Sequence, residues 1–420
     1  MEKFLIEGGT PLRGTVRVSG SKNSTLPIMA AAIMADEPVT LKEVPRLRDV
    51  ATLASIMGEL GVRVERITDL IRIETLNPSM IDAPYDMVRK MRGSICVLGP
   101  LLAKRGQAKV ALPGGCVIGT RPVDLHIKGL RALGADIDVR HGDIIATAKR
   151  LKGAEMYLGG AFGSTVLGTA NVMSAAVLAE GHTVIEGAAC EPEVEDLGNF
   201  LNAMGAQVKG HGSQRIEIDG VDRLHGCEYS IISDRIEAGT LMIAAAAAGG
   251  SVRIENARLD HLRAVTDKLT EIGVEITNGG GAVHVTGNGR VKATDIVTLP
   301  YPGIPTDLQA QFMTLLALAN GISIVTEKIF PDRFMHVSEL DRMGAHIRKE
   351  GPNAIVIGVN ELSGAPVMAS DLRASAALVI AGIAAQGMTE LNRVYHIDRG
   401  YERIEEKLNS LGASIQRVDV

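Results

Sequence analysis

The chain has 420 residues, of which 46% are hydrophobic and only 3% aromatic, with 47 glycines and no tryptophan. That length exceeds the roughly 250–300 residues at which one core usually divides, so two domains are expected. A net charge of −5 supplies no basic field, which argues against nucleic acid as a partner, and apolar runs such as 241–248 fall far short of the roughly 20 residues of a membrane span.

The opening Met1-Glu2-Lys3-Phe4-Leu5-Ile6-Glu7-Gly8-Gly9 reads as a strand entering a turn, with no secretory signal. Four cysteines (Cys96, Cys116, Cys190, Cys227) lack CxxC or metal-ligand spacing. A cytoplasmic enzyme with reduced thiols and no metal is therefore expected. Next come an Ala-rich helix at 26–34, a strand at Val39-Thr40-Leu41 and an amphipathic helix that closes at Leu60-Gly61-Val62. That closing signature returns as Leu133-Gly134-Ala135, Met204-Gly205-Ala206, Ile272-Gly273-Val274, Met343-Gly344-Ala345 and Leu411-Gly412-Ala413, its glycines 68 to 73 residues apart. Glycine suits the junction because helices often end in a left-handed residue that other side chains reach only with strain.

The Ala-rich helix has counterparts at 171–179, 239–248, 310–319 and 375–385, each followed by a strand. A period near 70 exceeds that of the solenoid repeats and implies six α/β modules, divided three and three near residue 230. The Ala-rich helices are apolar nearly all round, so they should be buried. Three modules with helices inside and sheets outside would give each domain approximate threefold symmetry.

The residues with chemistry lie at module starts and in one loop. Val18-Ser19-Gly20-Ser21-Lys22-Asn23-Ser24 leads into the first Ala-rich helix, and a lysine at a serine-capped helix start is suited to an anion. In Leu112-Pro113-Gly114-Gly115-Cys116-Val117-Ile118-Gly119-Thr120-Arg121, glycines flank a thiol that Arg121 would push toward thiolate. Cys96, Cys190 and Cys227 sit in apolar or strand-like contexts and read as inert.

With these segments the chain resembles the UDP-N-acetylglucosamine enolpyruvyl transferases. The resemblance rests on Gly20-Ser21-Lys22-Asn23, Met91-Arg92-Gly93-Ser94, Pro113-Gly114-Gly115-Cys116, Arg121-Pro122-Val123-Asp124-Leu125-His126 and Asp234-Arg235-Ile236-Glu237. It continues through Pro305-Thr306-Asp307-Leu308-Gln309, Arg333-Phe334-Met335-His336, Asp371-Leu372-Arg373-Ala374-Ser375 and His396-Ile397-Asp398-Arg399-Gly400-Tyr401. The Gly-Cys loop and the run from Arg121 to His126 separate this family from the related transferases acting on shikimate 3-phosphate.

The resemblance implies an α/β fold, a two-domain inside-out α/β barrel of six βαβαββ-type repeats with pseudo-threefold symmetry in each domain. Residues 1–21 would join 231–420 in one domain, and 22–230 would form the other, carrying the Cys loop 112–121. The implied reaction moves the enolpyruvyl group of phosphoenolpyruvate onto the 3′-hydroxyl of UDP-N-acetylglucosamine and releases phosphate, the first committed step of peptidoglycan synthesis. Lys22, Asn23, Arg121, Arg373 and Arg399 would hold phosphoenolpyruvate, and Lys22 and Arg399 also count among the catalytic groups. Cys116 would donate a proton to the enol carbon, and Asp307 would take the hydroxyl proton. The sugar nucleotide would meet Arg92, Arg121, Pro122, Val123, Asp124, Leu125, Thr165, Val166, Asp307 and Ile329. Neither cofactor, nucleic acid nor membrane is implied, and the expected state is a monomer or weak homo-oligomer. The epoxide fosfomycin, an anion beside an electrophilic carbon, is expected to alkylate Cys116.

One departure stands out. Where the family carries a lysine before a Ser-Val-Gly run, this chain has Gly163 in Gly160-Ala161-Phe162-Gly163-Ser164-Thr165-Val166. That leaves room for a modified nucleotide-sugar acceptor or for a non-catalytic paralogue. A cyclase of the RNA 3′-phosphate class, on a related repeated fold, would need a basic surface and a catalytic histidine motif that the sequence lacks.

Overall fold

The structure, a computed structural model, describes residues 2–113, 123–161 and 163–419. It divides into two compact units: residues 2–19 with 233–419, and the described residues between 20 and 232. Each unit has its own apolar core, one built around Phe4, Ile243 and Phe312, the other around Ile33, Leu101 and Phe200.

The Leu-Gly signatures do what their chemistry requires. The amphipathic helices Arg48–Glu59, Asp124–Ala132, Pro192–Ala203, Arg263–Glu271, Val337–Arg342 and Ile404–Ser410 stop one residue before each signature's first position. The glycines Gly61, Gly134, Gly205, Gly273, Gly344 and Gly412 all lie at positive φ, between 71° and 100°. In five of them the residue after the glycine bonds back over the last helical turn, as Ala135 N to Leu130 O (3.1 Å) and Val274 N to Leu269 O (2.9 Å). The next strand then starts at once, as in Val62–Ile67 and Ser414–Asp419.

Among the described residues there are six four-stranded sheets, three in each unit, all built to one rule. The first two strands are parallel and the remaining neighbours antiparallel, as in Glu155–Tyr157, His182–Glu186, Arg215–Asp219 and Gln207–Lys209. Three strands are borrowed from far along the chain. Glu228–Ser230 edges Val39–Lys42, Leu12–Arg17 edges Gly250–Glu255, and Glu2–Glu7 sits between Met388–Asn392 and Ser414–Asp419.

The apolar helices Arg235–Ala248, Gln309–Ala317 and Leu372–Ala384 are buried along nearly their whole length and pack on one another. They begin one to four residues before the Ala-rich runs at 239–248, 310–319 and 375–385, and those extra first-turn residues carry the polar chemistry. In the other unit Lys22–Ala31 and Leu98–Arg105 both touch Val166–Ala176. The Ala-rich pattern missed Leu98–Arg105, whose sequence is Leu98-Gly99-Pro100-Leu101-Leu102 rather than alanine. There the close approach comes from Gly99, where a Cβ would lie 2.2 Å from the Asn171 carbonyl oxygen.

Candidate active site

In the unit of residues 20–232 the candidate groups gather at helix starts. Lys22 is the first residue of its helix; Ser21 caps it, its Oγ accepting from Ser24 N at 3.2 Å. The Lys22 ammonium sits 2.8 Å from Asp49 Oδ2, and both side chains are buried. Asn23, half-buried, follows in the same first turn. Arg92 opens the 3₁₀ turn Arg92–Val97, which packs on the Lys22 helix. Thr165 caps Val166–Ala176 through Gly168 N (3.2 Å). Val123 precedes, and Asp124 and Leu125 open, the helix Asp124–Ala132. Cys116, Arg121 and Pro122 lie outside the described residues.

Gly163 now has a structural reason. Its φ is 94°, and its N–H and carbonyl both bond Gly160, at 3.1 and 2.8 Å, closing a tight turn. A lysine there would sit in strained backbone. The turn lies against the helix Asp124–Ala132, since a Cβ on Gly160 would be 3.1 Å from Leu125 Cδ1.

In the other unit an acid is gripped by two arginines. Asp307 lies in the 3₁₀ turn Thr306–Leu308, ahead of Gln309–Ala317. Its Oδ1 accepts from Arg333 Nη1 (2.8 Å) and its Oδ2 from Arg373 Nε (3.0 Å). Asp371 caps Leu372–Ala384, accepting from Arg373 N (2.7 Å) and Ala374 N (3.1 Å), while the Arg373 side chain turns inward. Arg373 is 1% exposed and its guanidinium lies 5.1 Å over the Tyr401 ring. The Tyr401 hydroxyl meets Thr240 Oγ1 (2.9 Å) and accepts from Gln311 Nε2 (3.1 Å). Burial works to discharge Arg373, but Asp307, Tyr401 and Asp234 together outweigh it and hold the guanidinium firmly charged. Its Nη1 is buried without a hydrogen-bond acceptor, a state that an incoming anion would relieve.

Arg399 is half-buried at the end of the turn Val394–Arg399, which packs on the Arg373 helix. Ile329 is placed by its backbone, whose N–H donates to Glu327 Oε1 at 2.8 Å. Asp49, Glu327, Arg333 and Tyr401 escaped sequence reasoning. Arg333 and Tyr401 stand inside quoted segments, but a single arginine or tyrosine carries no periodicity that would single it out.

His126 and His336 are buried. Burial, with Arg92 nearby, pushes His126 down to about 4, and Asn171 donates to its Nδ1 at 2.9 Å. Burial likewise pushes His336 to about 4. Burial raises the thiols of Cys96 to about 12 and Cys227 to about 11, and raises Cys190 as well. Among the described residues no cluster of three metal-ligating side chains occurs, and no helix is long and apolar enough to cross a membrane.

The sequence profile of the EPSP synthase (3-phosphoshikimate 1-carboxyvinyltransferase) family matches residues 6–408. The UDP-N-acetylglucosamine 1-carboxyvinyltransferase of Methylacidiphilum infernorum is 54% identical over 418 residues, covering 100% of this chain and 99% of its own. UDP-N-acetylglucosamine 1-carboxyvinyltransferase 1 of Caldanaerobacter subterraneus is 52% identical over 415 residues, covering 99% of each chain. Among solved structures, the enolpyruvyl transferase NikO from Streptomyces tendae superposes with a TM-score of 0.89 at 24% identity, over 100% of this chain and 99% of its own, a likeness of fold. With the profile matched nearly end to end and more than half of its residues shared with such relatives, the chain belongs to the EPSP synthase family, among its UDP-N-acetylglucosamine 1-carboxyvinyltransferases.

Proposed function

We infer that the chain transfers the enolpyruvyl group of phosphoenolpyruvate to the 3′-hydroxyl of UDP-N-acetylglucosamine and releases phosphate, in peptidoglycan synthesis. The observation that carries the reading is the charge arrangement around Asp307: a carboxylate fixed between Arg333 and a buried, charged Arg373, on a chain of this family.

In this reading Arg373, Arg399, Lys22, Asn23 and Arg121 bind the phosphate and carboxylate of phosphoenolpyruvate, arginine meeting either anion with a planar pair of donors. Cys116 protonates the methylene carbon, the acceptor oxygen attacks the adjacent carbon, and Asp307 takes the hydroxyl proton. The tetrahedral ketal then loses a methyl proton as its bond to the phosphate oxygen breaks, yielding the enol ether and inorganic phosphate. A carboxylate bonded to two guanidinium groups is a weak base. An anion arriving at Arg373 gives that guanidinium a second partner and loosens its hold on Oδ2, which makes Asp307 more basic when substrate is in place.

Arg92, Val123, Asp124, Leu125, Thr165, Val166 and Ile329, with Arg121 and Pro122, form the acceptor contacts of this proposal. The fold is taken as an inside-out α/β barrel of six repeats, with domains 1–21 plus 231–420 and 22–230. Burial of the apolar helices and the shared sheet rule support it. The protein is placed in the cytoplasm, as a monomer or weak homo-oligomer.

The 94° φ at Gly163 favours one second reading, a modified nucleotide-sugar acceptor, because the turn there disfavours a lysine. Phosphate release from phosphoenolpyruvate with UDP-N-acetylglucosamine, and with nucleotide sugars altered on the sugar ring, decides between them. The first reading requires the unmodified acceptor to give the highest kcat/KM.

A further inference from the structure

We propose that Glu327 is a positioning residue for the transfer, fixing the turn that carries Asp307 against the segment that carries Ile329; the proposal rests on Asp307 being the base of the reaction. Glu327 ends the strand Ile322–Glu327 and is wholly buried. A buried carboxylate is costly unless donors surround it, and this one has four. Its Oε1 accepts from Thr298 Oγ1 (2.6 Å), Ile329 N (2.8 Å) and Phe330 N (3.0 Å), and its Oε2 accepts from Thr306 Oγ1 (2.9 Å).

The direction of the chain of bonds follows from the donors available. The single Thr306 hydroxyl proton goes to Glu327, so the Thr306 oxygen must accept from Arg333, whose Nη1 is 3.0 Å away. The same Nη1 donates to Asp307 Oδ1 at 2.8 Å. Glu327 thus orients Thr306, Thr306 orients Arg333, and Arg333 holds Asp307. Through its other oxygen Glu327 sets the backbone at Ile329, so one carboxylate fixes both sides of the acceptor hydroxyl's proposed seat. A packing role alone calls for an apolar side chain at a buried strand end, not a charge with four partners.

Glu327→Gln puts an amide N–H₂ on one side of the network. Facing Thr306, it leaves the hydroxyl proton without an acceptor; facing Ile329 and Phe330, it opposes two backbone donors. Thr306→Val removes the relay but keeps the shape. Since misplacing a reacting group by about 1 Å can cost roughly a hundredfold, each variant is expected to lose roughly tenfold to a hundredfold in kcat, with the KM for UDP-N-acetylglucosamine within about threefold. Thr306→Ser should restore most of the rate, and the Glu327→Gln/Thr306→Val double variant should be no slower than the slower single, because both cut one chain.

The assay is phosphate release with phosphoenolpyruvate and UDP-N-acetylglucosamine, alongside thermal melting. Normal kcat in either single variant, multiplying losses in the double, or no rescue by serine would each overturn the proposal. If Glu327→Gln does not fold, the Thr306 variants decide alone. Full turnover by Asp307→Asn would instead overturn the reading of the base, whereas a normal Glu327→Gln beside an inactive Asp307→Asn would overturn only the role of Glu327.

Discussion

Asp307 and Arg373 stand 66 positions apart and meet at 3.0 Å, so the carboxylate's setting depends on contacts that no local motif encodes. Asp307→Asn keeps the side chain's shape while removing its charge, and the lost base should lower kcat by roughly 10² to 10⁴. UDP-N-acetylglucosamine binding by calorimetry should persist, while thermal stability should fall, because two buried guanidinium groups lose their counter-charge. A near-normal rate in the folded variant would remove Asp307 from the mechanism. At the thiols, Cys96, Cys190 and Cys227 are all pushed above the ordinary range by burial, which keeps them protonated and slow near neutral pH. Cys116 is accordingly expected to react first, and fosfomycin with UDP-N-acetylglucosamine present should add one label, located by intact mass and peptide mapping. A label on any other cysteine would contradict that. The candidate site residues were legible as ordered motifs. Their partners were not, because Asp49, Arg333 and Tyr401 act through three-dimensional proximity.

At the scale of elements, each Leu-Gly junction could be read from the sequence because a left-handed helix end constrains one residue strongly and recurs six times. The start of each apolar helix was less legible: Lys22, Arg235 and Arg373 are charged, and an apolar run gives no sign that they form the first turn of a buried helix. The junctions nevertheless differ in tolerance. At Gly134 a Cβ meets nothing within 4 Å, so Gly134→Ala should cost about 1 kcal/mol of backbone strain. At Gly61 a Cβ would lie 2.3 Å from the Asn77 carbonyl oxygen, and Gly61→Ala should cost clearly more in urea unfolding. Equal costs would contradict the geometry. His126 offers a pH test on its helix. It titrates near 4 when folded and near 6.5 when unfolded, so between those values the unfolded chain binds a proton that the folded chain does not. Stability should therefore fall as pH drops through that window, His126 contributing up to about 3 kcal/mol at about 1.4 kcal/mol per pH unit. His126→Gln should flatten the difference between urea curves at pH 7 and 4.5, and unchanged curves would count against it.

At the scale of the whole molecule, strand borrowing ties remote parts of the chain into each unit, and this the period of 70 did not reveal. The strand Glu2–Glu7 is the third of four in its sheet, with Phe4 and Ile6 fully buried. Removing residues 2–7 should therefore abolish cooperative unfolding of the unit holding 233–419, seen as a lost calorimetric transition; retention of that transition would show the strand to be dispensable. The chemistry attributed to the molecule depends on its acceptor, and one measurement bears on it most directly: steady-state phosphate release from phosphoenolpyruvate by the intact protein, with UDP-N-acetylglucosamine and separately with shikimate 3-phosphate. Saturable release with the sugar nucleotide and none above background with shikimate 3-phosphate is the expected result. Release with shikimate 3-phosphate alone, or with neither acceptor, would contradict it.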